Sequence, residues 1–191
     1  MLAAMSEIAA ALRRMESVFR RRPQAALSDD LPAVAQWHGG LRVSAIHANG
    51  TRVPTDMPTE FGGSGDQISP GWLFRAGLST CAATCVVLTA AAEGIELSVL
   101  EITTSSRSDA RGVLGMVDAG GNPLPATPCV LHVRVRIAAA AVDPERLRSV
   151  VLTGFERSPV YAGLKCAVPI ELAVDVQSGA AIIATPPGTP V

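Results

Sequence analysis

Between Ile8 and Phe19 the apolar positions Ile8, Leu12, Met15 and Phe19 recur at helical spacing and predict an amphipathic first helix. Ser6 is placed to cap it, and Arg20, Arg21, Arg22 and then Pro23 to end it. Positive charge suits a helix C-terminus, and Glu7 and Glu16 count against an organelle presequence, so the segment reads as a docking arm. A polar linker follows. Period-two alternation then predicts a strand from Leu41 to Ile46, an Asn49-Gly50 turn and a second short strand, which together make a hairpin. From Pro54 to Pro70 no period survives, and Gly, Pro and Asp predict a long loop. Its Gly62, Gly63 and Gly65 lack a leading strand and a closing GK[ST], so they read as a flexible loop and not a phosphate cradle.

Ser69 as N-cap and Pro70 at the first helical position predict a long helix that Gly94 and Ile95 stop. Small and apolar residues occupy all of its faces, the pattern of a helix surrounded by protein. "IELSVLEITTSS" and "RGVLGMVDAGGNPLPATPCVLHVRVRIAA" read as strands, with a turn at Asp118 to Gly121. Cys129, Leu131, Val133, Val135 and Ile137 alternate with Val130, His132, Arg134 and Arg136, so one face is buried and the other wetter. Asp143-Pro144 and Ser158-Pro159 predict two further helix starts. Val168, Ile170, Leu172, Val174 and Val176 alternate as a last strand, with Cys166 in phase, so that Cys129 and Cys166 read as core residues. Strands grouped before and after a central helix argue an α+β fold with a largely antiparallel sheet.

Sixteen basic residues against seventeen acidic leave a net charge of -1, which favours neither nucleic acid nor an anionic membrane and points to small molecules or protein partners. Polar residues from Arg75 to Thr89 interrupt the only stretch apolar enough to suggest a membrane span. Four scattered cysteines predict no disulfide framework and a reducing, cytoplasmic setting. His38, His47 and His132 read as surface residues, because no ligand spacing surrounds them; no metal or other cofactor is expected.

"SPGWLFRAGLSTCAATCVVLTAAAEG", followed by "GIELSVLEITTSSRSDARGVLG" and later "GFERSPV", resembles the OsmC/Ohr superfamily of osmotically inducible and organic-hydroperoxide-resistance proteins. The resemblance implies curved antiparallel sheets wrapped around long helices in an intertwined homodimer. With the periodicity of the first helix and the Pro-rich end of the chain, it predicts an arm and linker over 1–36, the family domain over 37–178 and a Pro-rich tail over 179–191. It also makes Cys81 the nucleophile that attacks a peroxide O–O bond, giving a sulfenic acid that a second cysteine resolves.

Three helpers of that chemistry are replaced. Gly71 and Trp72 stand where the resemblance implies a carboxylate, the loop from Pro54 to Pro70 holds no Arg or Lys, and Ser158 takes the resolving position. Local neighbours of Cys81 bring no cation. Arg75 is six residues back, roughly 120° round the helix. Cys85, one turn on, has a Cβ vector nearly parallel to that of Cys81, so a disulfide between them requires distortion. Ser158 has its own use as an N-cap. The sequence therefore predicts a degenerate hydroperoxide-reducing site around Cys81, with Cys85, Arg75, Ser158 and Trp72 as auxiliary or pocket residues, binding or weakly processing a small thiol-reactive or apolar compound. Its alternatives are a one-cysteine thiol peroxidase, with a hydroperoxide as substrate, and a non-catalytic dimer.

Overall fold

Residues 2–176 are described by a computed structural model, in the order α1 (Leu2–Arg21), β1 (Val34–Trp37), β2 (Val43–Ile46), β3 (Arg52–Thr55), α2 (Pro70–Ala92), β4 (Leu97–Arg107), α3 (Ala110–Val113), β5 (Val130–Ala139), α4 (Pro144–Glu156) and α5 (Pro159–Cys166). The tail from 179 onward lies outside the described residues.

The ends of α2 are set by local chemistry. The Ser69 hydroxyl accepts from Trp72 N–H at 3.2 Å, and Pro70 opens the helix where no N–H is needed. At the other end Gly94 turns left-handed at φ +69° and lets Ile95 N–H donate to the Ala90 carbonyl at 2.9 Å. Asp143 caps α4 by accepting from Glu145 and Arg146 N–H, and Ser158 caps α5.

Helix α2 packs against α1, α4, α5 and β4. Its Val86 and Ala90 join Ile95, Leu147 and Val150 in the core, with Met5, Leu100, Ile102, Ile137 and Phe155 packed around them. β4 and β5 pair antiparallel, as do β1, β2 and β3 in a second sheet, which contributes nothing to that core. A single chain covers one side of α2 only: Leu78, Ala82, Cys85, Val86 and Thr89 to Ala91 are buried, while Trp72, Phe74 and Leu88 stay exposed.

Several expectations are corrected. α1 starts at Leu2, so Ser6 lies inside the helix and not at its cap. β1 forms within the segment read as linker, because pairing with β2 supplies ladder bonds that the polar sequence does not signal. Where a strand was expected from Arg111, the Asp109 carboxylate accepts from Arg111 N–H and starts the helical turn α3. Hydrogen bonds from the Arg111 guanidinium hold Asp109 at about 2. The turn at Asp118 does form, its carboxylate taking the N–H groups of Gly120 and Asn122.

The alternating segment from Val168 to Val176 forms no strand, and its five apolar side chains are exposed. A strand needs a ladder partner, and Pro169 removes one of its donors. Cys129 and Cys166 are exposed and not core residues: Cys129 precedes β5, and Cys166 is the last residue of α5. Val133 is also exposed, whereas Leu131, Val135 and Ile137 keep the inward phase and His132 faces out as expected.

Candidate active site

Cys81 and Cys85 lie one turn apart on α2 and meet the corner where α4 passes into α5. Ser158, fully buried, donates its hydroxyl hydrogen bond to the Cys81 sulfur at 3.2 Å and accepts a long one from Tyr161 N–H at 3.5 Å. The Cys85 thiol points to the same corner, 3.5 Å from the Arg157 carbonyl. Burial, and then its neighbour Cys81, push the Cys85 thiol above its ordinary value. Cys85 is thus a protonated packing group. Cys81 is only partly buried.

The other two predicted residues are placed elsewhere. The Arg75 guanidinium donates to Ser106 Oγ at 3.2 Å, and Ser79, one turn on, bonds Thr104 at 2.8 Å. Both serve the face of α2 that meets β4. Cys81 follows Ser79 by two residues, roughly 200° round the helix, and so faces away from that contact. Trp72 is half-exposed near the start of α2, and its part in the local structure is the backbone N–H given to Ser69. Geometry therefore joins Cys81, Cys85 and Ser158 but leaves Arg75 and Trp72 outside.

The sequence reading missed a second cluster, in the loop before α2. Arg42 donates to Asp56 at 3.2 Å, Ser64 at 2.6 Å and Asp66 at 2.6 Å, and Ser64 also bonds both carboxylates. Gly63 lets this loop close on itself, because a Cβ there would stand 1.9 Å from the Met57 carbonyl oxygen. The glycines and acids were legible; their cation was not, since it comes from 14 or more residues upstream.

The Ser64 hydroxyl and backbone, then Met57 N–H, hold Asp56 below its ordinary 3.8, and Ser64 holds Asp66 down likewise. With folded values below unfolded ones, this latch contributes its stability above the unfolded value and loses it as pH falls through the folded ones. Protection of residues 56–66 from limited proteolysis by an acid-active protease should hold down to about pH 5, weaken below the ordinary carboxylate value and disappear only below the lowered folded values. Arg42→Met should expose the same loop already at pH 7, while the far-ultraviolet spectrum of the helices stays unchanged.

An apolar groove of about 550 Å³ runs between β5 and α4, lined by Val135, Ile137, Val142, Leu147, Val151 and Leu152, and its lining includes neither thiol.

Comparison with known proteins places the fold. A family model described as OsmC-like protein matches residues 63–173. No curated protein matches the chain. An organic hydroperoxide resistance protein OsmC from Legionella pneumophila is 20% identical, with 72% of this chain and 92% of that one covered and a TM-score of 0.53. An OsmC like protein from Mycoplasma pneumoniae is 14% identical over 73% and 89% of the two chains, with a TM-score of 0.59. An organic hydroperoxide resistance protein from Elizabethkingia anophelis is 20% identical over 72% and 90%, with a TM-score of 0.51.

Proposed function

The chain belongs to the OsmC-like family, and on that premise we propose that it is a cytoplasmic homodimer whose hydroperoxide site has lost its internal disulfide cycle. One observation carries this reading: the group 3.2 Å from the Cys81 sulfur is the hydroxyl of Ser158 and not a second thiol. When the Cys81 sulfur attacks the outer oxygen of a hydroperoxide, the O–O bond breaks, an alcohol leaves with the proton, and sulfur is oxidised to a sulfenic acid. A hydroxyl cannot complete the next step, because it forms no S–S bond. Cys85 is the only other thiol at hand, and its side chain runs parallel to that of Cys81. The site is then left to bind, or to react once with, a small thiol-reactive or apolar compound.

Support for the homodimer comes from what one chain leaves uncovered. Trp72, Phe74 and Leu88 on α2 and Val34 and Trp37 on β1 are large apolar groups facing solvent. Large apolar groups left in solvent are what the surface of a second copy would cover.

Cumene hydroperoxide added to the reduced protein should oxidise Cys81 once, read as a gain of one oxygen atom by intact mass, with no sustained peroxide consumption on adding a dithiol. Cys81→Ser should remove that gain. A second reading, the one-cysteine peroxidase, is favoured by the hydrogen bond that the Ser158 O–H gives the Cys81 sulfur, which holds that sulfur in one orientation. Sustained turnover that Cys81→Ser abolishes would select this reading and sink the first.

A further inference from the structure

Arg157 stands at the corner that holds Cys81, between the end of α4 and Ser158. Helical spacing puts it one turn past Gly154 and two past Val150, in line with the face of α4 that meets α2. Its carbonyl lies 3.5 Å from the Cys85 sulfur, while the residue as a whole is exposed. The guanidinium has neither a hydrogen bond nor a carboxylate partner among the described residues. Its neighbour Glu156 is taken, accepting from Lys165 Nζ at 3.0 and 3.2 Å. Arg75 is held by Ser106, and Arg42 by Asp56 and Asp66. Cys85, kept protonated by burial, adds no negative charge. Arg157 is therefore an unbalanced cation beside the thiols.

Reach decides what that cation can serve. Consecutive Cα atoms stand 3.8 Å apart and Ser158 spans the rest through its 3.2 Å hydrogen bond, so the Arg157 Cα lies within about 10 Å of the Cys81 sulfur. An extended arginine carries its guanidinium about 7 Å from its Cα. A short anion fits between the two, and the planar fork of a guanidinium matches a carboxylate. We propose that Arg157 sets the substrate class of this site: small thiol-reactive compounds with a carboxylate one or two bonds from the reacting atom, held by the guanidinium while the Cys81 sulfur attacks. The proposal rests on the reading of Cys81 as the reacting thiol.

The test compares iodoacetate with iodoacetamide on the full chain, followed on the Cys81 peptide by mass spectrometry. In both reactions the sulfur bonds the methylene carbon, the C–I bond breaks, iodide leaves with the electron pair and the thiol proton passes to water. Only iodoacetate carries the charge. Its rate relative to iodoacetamide should exceed the same ratio on N-acetylcysteine by about fivefold at low salt, and high salt should erode that excess. Arg157→Gln, folded by circular dichroism, should bring the ratio down to that of N-acetylcysteine. Arg157→Lys should keep part of the excess, and Arg75→Gln all of it. A wild-type ratio equal to that of N-acetylcysteine, or an excess that Arg157→Gln leaves in place or Arg75→Gln removes, overturns the role of Arg157; the Cys81 site still stands if cumene hydroperoxide oxidises it once. A Cys81 that neither reagent alkylates and that cumene hydroperoxide leaves unoxidised overturns the site, and the role of Arg157 with it.

Discussion

Ser158→Cys should convert Cys81 into one half of a disulfide. The Ser158 oxygen already stands 3.2 Å from the Cys81 sulfur, so an introduced sulfur has to close only about 1 Å to reach S–S bonding distance. The introduced thiol would also stand at the N-terminus of α5, where backbone N–H groups and the helix dipole favour the thiolate that must attack a sulfenic acid. Balance is simple: the attacking sulfur bonds Cys81, and the sulfenic oxygen leaves as water. After one equivalent of cumene hydroperoxide, intact mass should therefore fall by two hydrogens instead of rising by one oxygen. With a dithiol present, peroxide consumption should exceed that of the wild type by about tenfold or more, because the resolving thiol is held in place and need not diffuse in. A variant that still stops at the sulfenic acid would show that the α2–α5 corner is not the reacting geometry. Retention of Ser158's cap by the smaller polar change Ser158→Thr, with no gain in turnover, separates the redox effect from one on folding.

Gly154→Ala should destabilise the protein although the same change in an ordinary helix is stabilising. Alanine is favoured over glycine in a helix interior by about 1 kcal/mol. At Gly154, however, a Cβ would stand 2.7 Å from both the Cα and a methyl of Val86, the fully buried residue at the centre of the core. Backbone cannot rotate away as a side chain can, so α4 has to lift from α2. Overpacking against backbone costs about 3 kcal/mol, the upper end of the usual range, so about 2 kcal/mol remains after the propensity gain, a fall in Tm of roughly 4–8 °C for a chain of this size. The contrast is Gly71→Ala, in the first turn of α2, where the nearest atoms are 3.7 and 3.9 Å away and no loss is expected. Since α4 leads directly into Ser158, its displacement should also lengthen the Ser158–Cys81 contact. Alkylation of Cys81 by iodoacetamide followed across pH, compared between Gly154→Ala and wild type, reads that coupling.

The sequence by itself determined the helix boundaries that rest on local backbone chemistry: Ser69-Pro70, Asp143-Pro144 and Ser158-Pro159 each place a side-chain acceptor beside orphan N–H groups, and Gly94 takes the left-handed turn. It also carried the order of segments that marks the family, and a serine at position 158 where the resemblance implies a second thiol. These features depend on neighbours within four residues or on residue identity alone. Periodicity failed where it needed a partner it could not name. The alternation at Val168 to Val176 was legible yet forms no strand, and β1 formed without such a signal because β2 lies beside it. Only the tertiary structure decided that Arg75 meets Ser106 of β4 within its own chain, that Arg42 closes the loop before α2, and that Gly154 admits Val86. Above all it put Ser158 on Cys81 across 77 residues of chain, because the contact of α2 with α5 is set by which faces the core buries and not by any spacing along the chain.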